Sequence, residues 1–404
     1  MRIFCAIRHS NDPSFYYGGL WSGNFYPALR QLGHEIIESK VDLLPTSRFM
    51  HIPSKFTDQE LAVRAEITQR IIDEVRAAHE QEPIDLFLSY FYNSHFDSAG
   101  FEELRVLAIP SVNFYCNSIY QFENVAGIAA KADYSWHPEK DARELYLRVG
   151  AHPVWVQMGA DSNVYRPLPD VPREASACFV GQRYADRDRW LAALDRAKVP
   201  FDIYGSGWND ASVIGDAEVA RRDAFYLGRE HYRPGSFASY AHVVRENVAR
   251  NGQIGGLLRT AKQWNYRRET RRLAPYVFAH AKGRAESVAA TLAAYDVCLN
   301  LSNVWSDGRP GSKLIPHVRL RDFEAPMCRS CYLTGHTAEI AEFYEIGKEI
   351  DAYRSQDELV EKTRFYLAHP DAAEELREAG YRRAVRDHTW KHRFKELFRK
   401  IGLS

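Results

Sequence analysis

A guanidinium and a carboxylate stand three residues apart in the segment Leu314-Ile-Pro-His-Val-Arg-Leu-Arg-Asp-Phe-Glu-Ala325. Pro316 suits the first position of a helix, where its missing N–H costs nothing, so the sequence predicts a helix that begins there. His317, Arg321 and Glu324 then share one helical face. A cation and a carboxylate at this separation suit a diphosphate and a ribose diol, although an exposed Arg–Glu ion pair on a surface helix gives the same pattern.

The loop before this predicted helix, Gly308-Arg-Pro-Gly-Ser-Lys313, contains two glycines and ends in a cation. Backbone N–H groups at a helix N-terminus attract anions. The loop, Lys313 and the start of the helix therefore predict a phosphate site.

Two short patterns have the spacing of metal sites. Cys328 and Cys331 form a C-x-x-C, but no second pair of cysteine or histidine residues stands at a suitable spacing, so we predict that both thiols pack in the core. Asp186 and Asp188 form a D-x-D that is better placed to cap a helix than to hold a cation. The sequence predicts no metal site.

Polar residues that follow apolar strands in the N-terminal half are candidates for binding a second substrate. His95 follows the apolar run Ile84–Phe91 and suits a general base or a contact to a sugar, while a loop histidine with satisfied hydrogen bonds is an equally good interpretation. The other candidates follow the first strand and the strand after His95: Asp12, Gly18, Gly19, Asn117 and Ser118.

These residues must be positioned by an alternation of strands and helices. Met1–Arg8, Ile84–Phe91 and Val112–Cys116 are apolar runs of the kind that a parallel sheet buries on both faces. Residues 1–158 are therefore predicted to form a Rossmann-like, doubly wound α/β domain.

A second unit of the same kind is predicted over residues 175–385, where one strand ends in Gly181 and the next in Gly205. Residues 159–174 are polar and contain several prolines, which is typical of a linker. Because ligands of open α/β sheets bind beyond the carboxyl ends of the strands, we expect two domains facing a cleft, each with one ligand subsite. Residues 386–404 predict a C-terminal helix that packs back toward the N-terminal domain.

Residues 211–276 do not fit the alternation, because they are helical in pattern, polar and rich in arginine. We predict a basic helical insertion in the C-terminal domain. A charged helix face is usually only solvated, and the alternative is contact with an anionic acceptor, a membrane surface or a partner chain.

The composition excludes several classes of protein. Fifty-three basic and fifty-three acidic residues leave no net charge, so nothing favours nucleic acid as a partner. No apolar run reaches the roughly eighteen residues of a membrane span, and the first residues lack the pattern of a secretory signal. Six cysteines, most of them in apolar runs, are typical of free thiols in a reducing compartment. We therefore expect a globular, cytoplasmic protein.

The block Arg321-Asp-Phe-Glu-Ala-Pro-Met-Cys-Arg-Ser-Cys-Tyr-Leu-Thr-Gly335 contains an Arg-x-Phe-Glu-Ala motif. It resembles the motif of glycosyltransferases related to the spore maturation protein CgeB. The resemblance is specific over about residues 155–210 and 285–395, weak before residue 150 and absent from the insertion. It includes the segments Gly159–Asp161, Tyr165–Pro167, Phe179–Gly181, Tyr204–Trp208, Glu339–Glu349, Tyr366–Pro370, Ala379–Arg383 and His388–His392.

The resemblance implies a GT-B fold and the activity of a hexosyltransferase-like glycosyltransferase that needs no metal ion. It implies no cofactor, because the nucleotide sugar is a co-substrate, and a donor of UDP type is favoured. Glu324 matches the glutamate that accepts from the ribose hydroxyls, and Arg321 with Arg183 or Arg187 matches the cations that neutralise the diphosphate. The strand ends at Gly181 and Gly205, with His317 and Lys313, complete the nucleotide side. One departure is that Pro316 occupies the place of a sugar-binding glutamate, so Asp307 or Gly308 is expected to hold the sugar.

Two other functions stay open. A nucleotide-sugar epimerase can share this architecture, although the sequence offers no convincing pair of carboxylates at strand ends for elimination chemistry. The alternative of another class is a non-catalytic nucleotide- or glycan-binding, coat-associated module, against which the presence of both Arg321 and Glu324 speaks. The acceptor, whether a glycan, a lipid-linked or a small molecule, and the stereochemical outcome are not fixed by the sequence.

Overall fold

The computed structural model describes residues 1–10, 19–47, 56–208 and 237–403, without the side chains of residues 237–240 and 242. The described residues form two compact units. The first contains Met1–Asp161 and the C-terminal residues from Trp390 onward, and the second contains the described residues between them. Each unit has its own parallel sheet.

The first unit is built on six parallel strands in the order β2-β1-β3-β4-β5-β6. The strands are β1 (Arg2–Ala6), β2 (Glu35–Glu38), β3 (Leu86–Ser89), β4 (Ser111–Phe114), β5 (Tyr134–His137) and β6 (Pro153–Trp155). The helices are α1 (Leu20–Gln31), α2 (Leu44–Ser47), α3 (Asp58–Gln81), α4 (Ala99–Val106), α5 (Ser118–Gln121), α6 (Ala126–Ala129) and α7 (Arg143–Arg148), with 3-10 turns at Phe122–Asn124 and Lys140–Ala142.

Local sequence explains why these elements form. All four residues of β3 and of β4 are buried, as expected for central strands of a parallel sheet. Helix α3 begins at a capping box, in which the Thr57 side chain accepts from the Glu60 N–H and the Glu60 carboxylate accepts from the Thr57 N–H. The same helix buries a stripe that includes Ile67, Ile71 and Val75.

The second unit contains a five-stranded parallel sheet in the order β13-β12-β9-β7-β8 and a separate antiparallel pair, β10-β11. The strands are β7 (Glu174–Val180), β8 (Phe201–Tyr204), β9 (Tyr295–Asn300), β10 (Val304–Trp305), β11 (Leu314–Ile315), β12 (Cys331–Gly335) and β13 (Asp351–Tyr353). The helices are α8 (Arg187–Arg196), α9 (Phe237–Phe278), α10 (Val288–Ala293), α11 (Arg321–Met327), α12 (Gln356–Ala368) and α13 (Pro370–Asp387), with a 3-10 turn at Ile340–Glu342.

Helix α9 occupies the described part of the predicted insertion and is bent back on itself. Gly252, at φ 72°, interrupts the helix. Across this bend, Asn247 of the first arm donates to the Thr260 hydroxyl and the Gln263 amide oxygen of the second arm, each at 3.0 Å. A Cβ at Gly256 would lie 2.4 Å from the Val248 Cα, so the two arms touch through their backbones. We call this element the helical hairpin.

The last helix, α14 (Trp390–Ile401), completes the core of the first unit. Phe394 packs edge-on against Phe25 and Trp136, with ring centroids 5.2 and 5.4 Å away. The Trp390 indole donates to the Asn24 amide oxygen at 2.8 Å. The buried side chains of α14 recur at helical spacing, which explains how a short terminal helix is held.

All six cysteines are buried and free, including Cys328 and Cys331. Among the described residues, no helix is long and apolar enough to cross a bilayer. Within the same residues, no three histidine, cysteine or acidic side chains group closely enough to hold a metal ion.

Candidate functional site

The carboxyl ends of β7 and β9 meet at the centre of the second unit's sheet. The chain leaves β7 for β8 on one side and later returns to β9 on the other, so this is the switch point where ligands of such sheets bind. Gly181 follows β7, Ser302 follows β9, and α11 begins 21 residues after β9 ends at Asn300. The residues at these ends define the candidate site.

Helix α11 begins at Arg321, and the expected start at Pro316 is wrong. Leu314 and Ile315 pair instead with β10 as a short antiparallel strand, which holds the following residues outside the helix. His317 is buried, with Nδ1 2.6 Å from the Val318 carbonyl oxygen. Because His317 lies before the helix, it does not share a helical face with Arg321 and Glu324.

Asp322 holds the start of α11 in place and was not singled out from the sequence. One carboxylate oxygen accepts from the Arg319 backbone N–H at 2.6 Å. The other accepts from the Asn300 amide at 3.2 Å, the Tyr332 hydroxyl at 2.9 Å and the Thr334 hydroxyl at 2.8 Å. Burial raises the pKa of Asp322, although these hydrogen bonds oppose the change. The carboxylate thereby joins β9, β12 and α11.

Arg321 and Glu324 form the ion pair that their spacing predicts, with Nη1 and Oε2 2.7 Å apart. The pair is not an exposed surface pair, because only 4% of the Glu324 side chain and 19% of the Arg321 side chain are exposed. Burial alone lowers the pKa of Arg321, but Glu324 and other nearby groups raise it above its usual value. Arg321 therefore keeps its charge in a largely buried setting.

Arg187 places a fixed cation at the switch point. Its guanidinium donates to the Leu301 carbonyl at 3.0 Å and to the Gln182 carbonyl at 2.6 Å, and it lies over the Phe179 ring. Burial, followed by repulsion from Arg319, lowers the pKa of Arg187 to about 10. The Asp186 carboxylate opposes this change, so negative charge near Arg187 stabilises its guanidinium.

Two glycines and a serine shape the same region. A Cβ at Gly205 would lie 2.3 Å from the Gly181 carbonyl oxygen, so the ends of β7 and β8 approach as only glycine allows. A Cβ at Gly181 would lie 3.3 Å from Nη1 of Arg187. The Ser302 hydroxyl is buried and has no hydrogen-bond partner among the described residues. A buried hydroxyl of this kind, on the residue after the carbonyl that Arg187 binds, fits a ligand with acceptor oxygens.

Arg183, the other candidate for the diphosphate, is engaged elsewhere. Its guanidinium donates to the Asp188 carboxylate at 2.8 Å and to the Thr270 carbonyl at 2.9 Å, and it lies over the Phe278 ring. These contacts join the loop after β7 to the second arm of the helical hairpin. Of the two arginines, Arg187 has the contacts at the strand ends.

Asp307, Gly308 and Lys313 lie in the loop of the β10-β11 pair. Both carboxylate oxygens of Asp307 accept from Nη2 of Arg259 in the helical hairpin, at 2.8 and 2.7 Å. Gly308 adopts φ 71° and donates its N–H to the Trp305 carbonyl, which makes it a turn residue. Lys313 lines a groove of about 470 Å³ whose other walls include Lys262, Tyr266 and Trp305.

His95 is fully buried in the first unit, and both of its ring nitrogens have neighbours. Nδ1 accepts from the Tyr92 N–H at 3.2 Å, and Nε2 lies 3.3 Å from the Ser47 hydroxyl. Burial and then the neighbouring His9 lower its pKa well below the usual value, so the ring is neutral. These contacts match the interpretation of His95 as a loop histidine with satisfied hydrogen bonds.

The other candidates of the first unit are only partly described. The Asn117 amide oxygen accepts from the Tyr120 hydroxyl at 2.6 Å, and the buried Ser118 hydroxyl lies 2.7 Å from the Tyr146 hydroxyl. Gly19 directly precedes α1, and a Cβ there would lie 3.2 Å from Nη1 of Arg8. Asp12 and Gly18 lie outside the described residues.

Residues 239–399 match the sequence model of a family described as "Glycosyl transferase-like". Comparison with curated proteins gave no match. One similar solved structure is a glycosyltransferase from Rickettsia africae, at 12% identity and a TM-score of 0.57, with 99% of this chain and 98% of that chain covered. Another is sucrose-phosphate synthase from Thermosynechococcus elongatus, at 13% identity and a TM-score of 0.55, with 100% of this chain and 99% of that chain covered. A third is HepE from Anabaena in complex with UDP-glucose, at 13% identity and a TM-score of 0.54, with 99% of each chain covered.

At these identities the structural similarity shows the fold. The chain has a GT-B fold of two Rossmann-like domains, which confirms the prediction of fold class. The family match and these neighbours support sugar transfer as the activity.

Proposed function

We propose that the chain is a CgeB-like hexosyltransferase of the cytoplasm that transfers a sugar from a nucleotide diphosphate, of UDP type, without a metal ion. The observation that carries this proposal is the Arg187 guanidinium, which the Gln182 and Leu301 carbonyls hold at the switch point. The next residue, Ser302, has a buried hydroxyl with no hydrogen-bond partner among the described residues. The Anabaena neighbour was solved with UDP-glucose, which supports the same donor class here.

The diphosphate is proposed to lie at the carboxyl ends of β7 and β9. Charge builds on the departing phosphate in the transition state of glycosyl transfer, so cations fixed at that point lower the barrier preferentially. Arg187 is held by two backbone carbonyls and needs no reorganisation to meet the anion. Bound diphosphate also offsets the repulsion between Arg187 and Arg319.

Glu324 is proposed to accept from the ribose hydroxyls, with Arg321 holding its carboxylate in place. The acceptor is proposed to be a glycan, a lipid-linked or a small molecule. The basic helical hairpin supplies a surface for a membrane or a partner chain, and Asp307, which Arg259 holds in place, is proposed to contact the donor sugar.

The test is a thermal-shift series with UDP, GDP, ADP, thymidine diphosphate and inorganic pyrophosphate. UDP is expected to raise the melting temperature, since a ligand that binds only the native state stabilises it. Arg187→Ala should weaken binding of both UDP and pyrophosphate by about tenfold or more, because a charge-assisted contact is lost. Glu324→Gln should weaken UDP alone.

The matched control is Arg382→Ala, since Arg382 is 70% exposed on α13, away from the strand ends. Circular dichroism of each variant separates lost binding from lost folding. The proposal fails if no nucleoside diphosphate shifts the wild type, and the ribose assignment fails if Glu324→Gln leaves the UDP shift unchanged. Formation of an isomerised sugar nucleotide without an acceptor would favour the epimerase instead.

A further inference from the structure

The tip of the helical hairpin exposes large aliphatic side chains to solvent. Ile254, Leu257 and Leu258, just after the bend at Gly252, are 78%, 58% and 60% exposed. Residues separated by three and four positions share one helical face. Further along the same face, Ala261 is exposed and Trp264 is 54% exposed. Contiguous exposed apolar side chains of this kind mark an interaction surface.

Cations flank this apolar tip. α9 contains eight lysine and arginine residues and two acids, Glu246 and Glu269. Both acids are neutralised by arginines: Glu246 pairs with Arg309 at 2.9 Å, and Glu269 pairs with Arg189. The arginines that follow Trp264 on the second arm are all exposed: Arg267, Arg268, Arg271 and Arg272.

The hairpin is fixed to the body of the second unit, so the tip has a defined direction. Arg259 binds Asp307 of the β10-β11 loop, and Gly311 of that loop lies directly against Lys262, where a Cβ would be 3.0 Å from the Lys262 Cβ. At the other end, Leu273 and Val277 are buried in the core of the unit. A helix held in this way presents its apolar tip without having to fold on contact.

We propose that this face docks the protein on an anionic phospholipid bilayer. Ile254, Leu257 and Leu258 insert among the headgroups, Trp264 lies at the interface, and the arginines of the second arm contact lipid phosphates. An apolar wedge with a cationic flank is the composition of helices that lie on membranes, and each basic residue near an anionic surface adds to binding. The alternation of charge expected for pairing with another protein helix is absent from this described face.

The experiment is co-sedimentation of the full chain with vesicles of phosphatidylcholine alone or with added phosphatidylglycerol. The wild type is expected to bind the anionic vesicles and to be released by salt, because the charge component is screened. The double variant Leu257→Glu, Leu258→Glu should bind at least about tenfold more weakly. Its matched control is Val106→Glu, at a residue 82% exposed on α4 of the first unit.

The cationic flank has its own variants. Arg268→Ala, Arg272→Ala should weaken binding to anionic vesicles and reduce its salt dependence, while Arg382→Ala, Arg386→Ala, at exposed positions of α13, should not. The proposal is overturned if the wild type binds no vesicles or binds vesicles with and without phosphatidylglycerol equally well. It is also overturned if the leucine variant binds anionic vesicles as tightly as the wild type. A dimer in solution that the leucine variant abolishes would assign the face to a second copy instead.

This inference adds a place of action to the proposed function, but the two fail separately. The leucine variant should retain the full melting-temperature shift with UDP, since its substitutions lie at the hairpin tip. If the wild type binds no vesicles but keeps its melting-temperature shift with UDP, the membrane assignment alone fails. Vesicle binding without any nucleotide shift would sink the donor assignment alone.

Discussion

Asp322 determines where the candidate site begins, through four hydrogen bonds on a single carboxylate. The donors come from β9, β12 and the residues before α11, which are adjacent only in the folded chain. The sequence did not single out Asp322, because a helix predicted to begin at Pro316 places it in the interior and its partners are distant in the chain. Glu324 could be identified because it belongs to a motif, whereas Asp322 could be identified only from its partners.

Three histidines of the first unit, His9, His95 and His137, have pKa values lowered chiefly by burial. The pKa of His137 falls to about 4. Its Nδ1 lies 2.9 Å from the Glu139 carbonyl oxygen, and Nε2 is buried without a partner among the described residues. A proton on that nitrogen would have no acceptor there, so the folded unit prefers the neutral ring.

The consequence is a loss of stability in acid. Between the unfolded pKa of about 6.5 and the folded value, the unfolded chain binds the proton and the folded unit does not, so stability falls as pH decreases. His137→Gln removes one group that takes up a proton only on unfolding. Below pH 6 the free energy of unfolding of the variant should therefore fall less steeply than that of the wild type, with a difference in slope of up to about 1.4 kcal/mol per pH unit. Urea unfolding at several pH values measures the slope, and parallel curves for the two proteins would contradict the assignment.

At the scale of elements, the parallel strands were the easiest to predict and the β10-β11 pair the hardest. The central strands are buried runs whose apolar character is continuous, so local sequence is sufficient to find them. From the sequence, Leu314 and Ile315 only precede a predicted helix, because nothing local shows that they pair with Val304 and Trp305. Gly252 similarly gave no sign of a bend inside a helical pattern.

Gly311 tests how the β10-β11 loop is held against the helical hairpin. Its φ of +81° and the short distance from its Cβ position to Lys262 both disfavour a side chain. Gly311→Ala should cost about 1–2 kcal/mol of unfolding free energy and loosen the loop. The control is Gly23→Ala in α1, where a Cβ meets nothing within 4 Å and the substitution should be neutral or slightly stabilising. Equal costs for both would contradict the packing described.

At the scale of the whole molecule, the two units are expected to respond to different perturbations. Phe394 lies in the aromatic core of the first unit, and nucleotide is proposed to bind the second. Phe394→Ala should cost the first unit about 3–5 kcal/mol. Differential scanning calorimetry with and without UDP should show the substitution lowering one transition and the ligand raising another. A single transition moved by both would show that the units unfold together.

Because α14 is translated last, the first unit can complete its core only after the second unit has been synthesised. The ring stack of Phe25 and Trp136 is closed by Trp390 and Phe394, which the ribosome adds more than two hundred and fifty residues after Trp136. The first unit therefore emerges early but stays open while the whole second unit is translated. During that interval the aromatic side chains that α14 later covers are exposed, which makes them a site where a chaperone would bind.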